Sequence, residues 1–149
     1  MIDIEVEDAA WTAALPDAER LVRSAALAAA DHEEAAHADI TILLTDDASV
    51  RALNAQFRGK DEPTNVLSFP AAPNPQRHLG DIALAYETCA REAAEQGKPI
   101  GQHLQHLTVH GVLHLLGYDH IGDDEAEAME GLERTVLAGL GVPDPYAAG

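Results

Sequence analysis

Four short segments of the chain carry the hydrophobic patterns of β-strands. Residues 2–6 (IDIEV) and 40–44 (ITILL) place an apolar side chain at every second position, which is typical of a strand with one buried face. Residues 65–69 and 79–85 are short and apolar, and a proline-rich connection lies between them. The pattern predicts four strands, of which the last two pair as antiparallel neighbours.

Five other segments carry helical patterns. A helix is predicted to begin at Leu15-Pro16-Asp17, with a buried face made by Leu21, Val22, Ala25 and Leu27. Asp46-Asp47 can cap a second helix, which carries on one side Val50, Leu53, Asn54 and Phe57. Three further helices are predicted at about residues 86–96, 99–117 and 123–140. The order βαβαββααα predicts one α+β domain over residues 1–149, with helices covering a small mixed sheet of about four strands.

The last predicted helix has an apolar stripe and an acidic side. The stripe consists of Met129, Leu132, Val136, Leu137 and Leu140. Glu130 and Glu133 are predicted to lie opposite this stripe. The stripe is interpreted as core that covers the preceding helix, and a partner-binding face is the alternative.

Composition narrows the class of protein. The 149 residues contain no apolar run long enough for a membrane span, and the chain starts with acidic, alternating residues where a signal peptide would be basic and then apolar. We therefore expect a cytoplasmic protein without membrane contact. Cys89 is the only cysteine, and its place in an alanine-rich helical segment favours a core residue over a nucleophile.

Charge is distributed unevenly. The formal net charge is −17, which by itself argues against a nucleic-acid partner. Residues 51–80, however, have a local balance of +2, while the rest of the chain carries −19. An acidic body can limit non-specific adhesion of RNA while the basic segment makes the contact, although solubility alone also explains the acidic residues.

The segment HGVLHLLGYDH has the spacing of a metal site on a helix and its following turn. His110 and His114 are four residues apart, so their imidazoles project from one helix face. Gly117 tolerates the left-handed conformation that ends a helix, which allows His120 to approach from another side. Three imidazoles suit zinc and leave a fourth position for water, the arrangement of a catalytic site. The spacing predicts one zinc ion per chain and an enzyme in which zinc-bound water is the nucleophile.

The same spacing occurs in metzincin proteases, in which a glutamate general base follows the first histidine. Gly111 occupies that position here, so the chain keeps the ligand spacing without the proton acceptor. A zinc-dependent hydrolase of peptides or small amides is therefore the alternative function.

HGVLHLLGYDH, together with LNAQFRGKDEPTNVLSFP and LGDIAL, resembles the YbeY family of bacterial endoribonucleases over roughly residues 39–135. The resemblance implies a zinc-dependent endoribonuclease specific for single strands. Such an enzyme matures the 3′ end of small-subunit ribosomal RNA and assists ribosome quality control. Its implied partners are single-stranded RNA, ribosomal RNA and the small ribosomal subunit, and DNA is not expected. A ribosome assembly factor without catalysis is a further alternative.

The resemblance also assigns residues. His110, His114 and His120 match the metal ligands of the family, and Arg58 matches the arginine associated with its activity. The planar guanidinium of Arg58 suits phosphate oxygens, although pairing with a surface acid is the simpler interpretation from sequence alone. Asn65 stands where the family often has aspartate, and an amide supplies no negative charge. A general-base role for Asn65 is therefore doubtful.

Two neighbours of the predicted ligands have open roles. Asp119 can fix the tautomer of a ligand imidazole or cap the turn. His106 lies close to the ligand face and is interpreted as a packed residue near the site, with a general-base role as the less favoured alternative.

Overall fold

The strands form one mixed sheet. The computed structural model describes residues 2–35, 38–60, 64–72, 78–118 and 122–146. Within these ranges the strands are β1 (Ile2–Val6), β2 (Asp39–Thr45), β3 (Val66–Pro70) and β4 (His78–Ala85), in the order β1-β2-β4-β3. β1, β2 and β4 are parallel, and β3 pairs antiparallel with β4. The predicted mixed sheet and the antiparallel pairing of the last two strands are confirmed.

Six helices lie within the described residues. They are α1 (Ala10–Ala14), α2 (Ala18–His32), α3 (Asp47–Arg58), α4 (Tyr86–Gln96), α5 (Ile100–Leu115) and α6 (Asp123–Gly139). The α+β class is confirmed, but the sequence predicted only five helices. The additional helix, α1, buries Trp11 completely, and the indole Nε1 donates a hydrogen bond to the Thr45 carbonyl oxygen at 2.9 Å. Its five residues are too few to show a helical period.

The sheet is covered on both faces. On one face α2 and α5 pack against Ile40, Ile42, Leu44, Ile82 and Leu84, all of which are fully buried. On the other face α3 packs through Val50 against Leu67, Ala83 and Ala85. Burial of this apolar surface is the main stabilising contribution to the fold. Because α5 packs against β3 and β4 and against α2, α4 and α6, the helix that carries the histidines is held in place.

Two residues predicted on buried helix faces are exposed. Leu27 is 43% exposed, and the neighbouring Ala26 and Ala29 are buried in its place. Phe57 is 60% exposed and lies at the end of α3, where its ring packs edge-on against Phe69 with 5.4 Å between the ring centroids. Both corrections concern which side chains of a helix face the core.

α5 approaches the sheet closely at Gly111. The Ser68 hydroxyl group donates a hydrogen bond to the Gly111 carbonyl oxygen at 3.1 Å. A Cβ atom at position 111 would lie 3.1 Å from two atoms of Ile82 and 3.3 Å from Ser68 Oγ. A glutamate, as metzincins have at this position, would therefore require the Ile82 and Ser68 side chains to shift by a few tenths of an ångström. No helix within the described ranges combines the length and hydrophobicity that a membrane span requires.

Cys89 is fully buried, and its Sγ lies 3.6 Å from the Asn65 carbonyl oxygen. Burial, helped by the nearby Glu92 and Asp47 carboxylates, raises the pKa of the thiol well above its ordinary value. The structure therefore agrees with a core role for this residue.

We expect the native protein to resist a thiol-specific reagent, because the Cys89 thiol is buried, and to react with one equivalent once it is unfolded in denaturant. Rapid labelling of native protein in a spectrophotometric thiol assay would contradict the burial.

Candidate metal centre

Four histidines line one side of α5. Successive ring centroids are 6.2 Å apart for His103 and His106, 6.4 Å for His106 and His110, and 4.6 Å for His110 and His114. Only the last pair converges: the Nε2 atoms of His110 and His114 are 3.0 Å apart. The i,i+4 spacing on a regular helix produces this approach, as the sequence indicated.

The separation of the two Nε2 atoms fits a shared zinc ion. Zinc binds imidazole nitrogen at about 2.0–2.1 Å, and two such ligands at a tetrahedral angle lie roughly 3.3 Å apart. The observed distance between the two Nε2 atoms is 3.0 Å, so the side chains need to move apart by only a few tenths of an ångström to reach that value. The donor set of His110 and His114 is therefore compatible with zinc.

The opposite nitrogen of His110 is held by a buried carboxylate. His110 Nδ1 lies 2.5 Å from Glu133 Oε1, and Glu133 is fully buried although it is an acid on α6. Since an ionised carboxylate can only accept, Nδ1 carries the proton and Nε2 keeps its lone pair. Histidines that bind metals commonly donate their other N–H group to a carboxylate in this way. The contact prepares His110 to bind through Nε2.

Glu133 corrects the sequence interpretation, which placed it opposite the apolar stripe of α6. The stripe itself is confirmed, since Met129, Val136 and Leu137 are buried. Glu133 follows Met129 by four residues and precedes Val136 by three, so helical spacing already assigns it to the buried side. That spacing was the signal that could have identified it.

Three neighbouring groups keep the buried Glu133 carboxylate ionised. Burial alone would raise the pKa of Glu133, but the nearby His106 imidazole and the hydrogen bonds from His110 and Tyr146 lower it to about 2. The Tyr146 hydroxyl group donates to Glu133 Oε2, and His106 Nε2 lies 3.2 Å from that hydroxyl oxygen. The cluster therefore supplies a fixed negative charge next to the histidine pair.

The chain turns immediately after the histidine pair. Gly117 has a φ of 101°, its N–H group donates to the His114 carbonyl oxygen at 3.0 Å, and the Tyr118 N–H group donates to the Leu113 carbonyl oxygen at 3.0 Å. The predicted role of Gly117 in ending the helix is thus confirmed. The Tyr118 hydroxyl group donates to Glu33 and so ties the start of the following segment to the end of α2. Asp119 and His120 lie outside the described residues.

The structure does not test the predicted roles of Arg58 and His120. Arg58 is the last residue of α3, and its side chain lies outside what the structure describes. Within the described ranges, no group of three or more His, Cys, Asp and Glu side chains has an arrangement that could hold a metal ion. The ligand roles of His110, His114 and His120 and the role of Arg58 therefore remain predictions.

Asn65 belongs to a separate polar cluster. Its Nδ2 donates to Glu92 Oε1 at 2.9 Å, and His103 Nε2 lies 3.0 Å from the same oxygen. Burial lowers the pKa of His103, although its bond to Glu92 opposes this effect. The amide of Asn65 thus holds α4 and α5 beside the start of β3. This contact agrees with the doubt about a general-base role.

The fold and the histidine pair together define an α+β protein with a candidate metal centre on a buried helix. The model of the family described as Endoribonuclease YbeY matches residues 3–141. The chain belongs to this family.

Individual relatives agree with the family assignment. The Endoribonuclease YbeY of Bradyrhizobium sp. strain BTAi1 is 57% identical, in a match that covers 89% of this chain and 84% of the relative. That of Paramagnetospirillum magneticum is 52% identical, over 97% of this chain and 94% of the relative. The solution structure of a Thermotoga maritima protein is 23% identical with a TM-score of 0.58, and the match covers 99% of this chain and 100% of that chain. This last likeness supports the fold alone.

Proposed function

We propose that this protein is a zinc-dependent endoribonuclease that cleaves single-stranded RNA. We further propose that it acts in the cytoplasm on the 3′ end of small-subunit ribosomal RNA, with the small ribosomal subunit as partner, and contributes to ribosome quality control. The observation that carries the proposal is the convergence of His110 and His114 Nε2, 3.0 Å apart, on a buried helix of a YbeY-family chain.

In the proposed site each residue has a distinct task. His110 and His114 hold the zinc ion through Nε2, and His120 is proposed as the third ligand. When bound, zinc supplies Lewis acidity that polarises a phosphoryl oxygen and activates water near neutral pH. Glu133 keeps the proton of His110 on Nδ1, so that Nε2 stays available as a donor to the metal.

The end of α3 is proposed to bind the RNA backbone. Arg58 is the last residue of this helix. A guanidinium group can donate two parallel hydrogen bonds to two phosphate oxygens, so Arg58 can stabilise the charge that develops on the scissile phosphate. Arg51 and Lys60 are exposed on the same helix and just after it. They add positive charge in a chain whose overall charge is −17, which favours approach of RNA at this segment.

Peptide hydrolysis is less well supported. The metzincin general base would have to occupy position 111, which is glycine in this chain. An added Cβ atom there would lie 3.1–3.3 Å from side-chain atoms of Ile82 and Ser68. One experiment separates the two functions. Purified protein is incubated with single-stranded RNA, duplex RNA and casein, with and without a chelator. We expect cleavage of single-stranded RNA alone, and its loss on chelation. Cleavage of casein, or RNA cleavage that persists without metal, would contradict the proposal.

Arg58→Ala tests the phosphate-binding role. Loss of one group that stabilises transition-state charge costs on the order of 10²-fold in turnover, so we expect that decrease with zinc content unchanged. Arg91→Ala is the matched control, because Arg91 lies on the surface of α4 and pairs only loosely with Glu95 at 3.8 Å. Single-turnover cleavage of a labelled RNA and metal analysis are measured on both variants. Normal cleavage by Arg58→Ala would remove this residue from the mechanism.

A further inference from the structure

Tyr146 connects the C-terminal segment to the candidate metal centre. It lies beyond residues 3–141, the part of the chain that the family model matches. Its hydroxyl group donates to Glu133 Oε2, while the other oxygen of the same carboxylate, Oε1, receives His110 Nδ1 at 2.5 Å. Tyr146 is therefore one carboxylate away from a predicted zinc ligand.

The hydrogen bonds in this cluster have a defined direction. A tyrosine hydroxyl group has one proton, and that of Tyr146 is donated to Glu133. The contact of 3.2 Å between His106 Nε2 and the Tyr146 oxygen therefore requires that His106 donates. His106 therefore donates a hydrogen bond to Tyr146, and Tyr146 donates one to Glu133. On the other side of the carboxylate, His110 donates a hydrogen bond to Glu133.

His106 is positioned to compete with His110. Its Nε2 lies 3.6 Å from Glu133 Oε1, the same oxygen that His110 uses. At that distance it is beyond a good hydrogen bond, and the Tyr146 oxygen at 3.2 Å is its nearer acceptor. Without the tyrosine hydroxyl group, a small rotation of His106 would bring its N–H group onto Glu133 Oε1.

The segment that carries Tyr146 is fixed by several contacts. Asp144 Oδ1 accepts the Tyr146 backbone N–H group at 2.8 Å and the Arg134 Nε–H group at 3.2 Å. Arg134 also lies over the Tyr146 ring, 5.3 Å from its centroid. Lys98 donates to the Pro145 carbonyl oxygen at 2.9 Å. The hydroxyl group is thus brought to Glu133 by contacts with α6 and with the segment before α5.

We propose that Tyr146 is a positioning residue for His110. By donating to Glu133 Oε2 and accepting a hydrogen bond from His106 Nε2, its hydroxyl group reserves Glu133 Oε1 for His110 Nδ1. His110 then stays in the tautomer and orientation that present Nε2 toward His114. The inference rests on the proposed zinc site for its consequence in metal binding, but the tautomer itself is a property of the metal-free protein.

Tyr146→Phe tests the inference, with Glu133→Gln as a second variant and Tyr86→Phe as the matched control. Tyr86 packs its ring edge-on against Trp11, with 5.2 Å between centroids. Long-range proton–nitrogen NMR spectra of metal-free protein, recorded at mildly alkaline pH, report the tautomer of each histidine. We expect His110 to be protonated on Nδ1 in the wild type and in Tyr86→Phe, and to show both tautomers in Tyr146→Phe and Glu133→Gln.

Zinc affinity is measured on the same proteins by competition with a chromogenic chelator. A partner of a ligand histidine contributes about 10- to 100-fold to metal affinity, so we expect that loss for Glu133→Gln and a loss of roughly 3- to 10-fold for Tyr146→Phe. An unchanged His110 tautomer in Tyr146→Phe would overturn the inference, including the case in which only the melting temperature falls. If the tautomer changes but no variant binds zinc, the proposed function fails and the positioning role stands.

Discussion

Replacing His114 by alanine is expected to remove the bound zinc and, with it, RNA cleavage. His114 provides one of the two converging Nε2 atoms, and a zinc site that loses one of its three proposed imidazole ligands would hold the metal far more weakly. We expect zinc to fall from about one ion per chain to less than about a tenth. Cleavage of single-stranded RNA should fall on the order of 10²-fold or more, because the Lewis acid is lost. Metal analysis of protein purified without chelator measures the first effect.

His32→Ala is the control for this experiment. His32 is the last residue of α2, its side chain is 37% exposed, and its Nδ1 lies 3.0 Å from Glu33 Oε2. This variant removes an imidazole that belongs neither to the histidine pair nor to the Glu133 cluster, so zinc content and cleavage should equal those of the wild type. Circular dichroism of both variants establishes whether the overall helix content is that of the wild type. Equal zinc in His114→Ala and wild type would refute the metal site.

The local parts of the candidate site could be predicted from the sequence. The convergence of His110 and His114 depends only on helix geometry over four residues, and the turn at Gly117 depends on the conformational freedom of one glycine. β1 and β2 could be predicted for the same reason, since alternation over five residues is a local signal. These features need no knowledge of what packs against them.

The supporting contacts could not be predicted in the same way. Glu133 and His110 are 23 residues apart, and Tyr146 and His106 are 40 residues apart. Only the packing of α6 and the C-terminal segment against α5 brings them together. Phe57 and Leu27 show the same limit, because their helices were predicted while the exposure of single side chains depended on the neighbouring elements.

The buried carboxylate also explains how the histidines of α5 differ. His103 bonds to Glu92, His110 bonds to Glu133, and His106 lies between them with Tyr146 as its near acceptor. These three histidines look alike in the sequence, but each has a different hydrogen-bond partner in the structure. His110 combines a carboxylate on Nδ1 with a second histidine close to Nε2, which is the arrangement that suits a metal ligand.

The end of α5 also depends on a close contact with the sheet at Gly80. Gly80 has a φ of 148°, and a Cβ atom there would lie 2.3 Å from the Phe69 carbonyl oxygen and 2.8 Å from Leu115 Cδ2. The first neighbour is backbone of β3, paired with β4, so it cannot move away without loss of pairing. Gly80 therefore lets β3 and the last residue of α5 meet.

Gly80→Ala is expected to destabilise the protein by about 3 kcal/mol or more, since backbone strain and overpacking each cost about 1–3 kcal/mol. The matched control is Gly131→Ala in α6, where no atom lies within 4 Å of an added Cβ atom. That change should instead stabilise the protein by up to about 1 kcal/mol, because alanine is the better helix former. Urea unfolding measures both variants. A Gly80→Ala protein as stable as the wild type would mean that β3 does not lie against position 80. Because α5 ends at the same contact, zinc affinity of the folded variant should fall together with its stability.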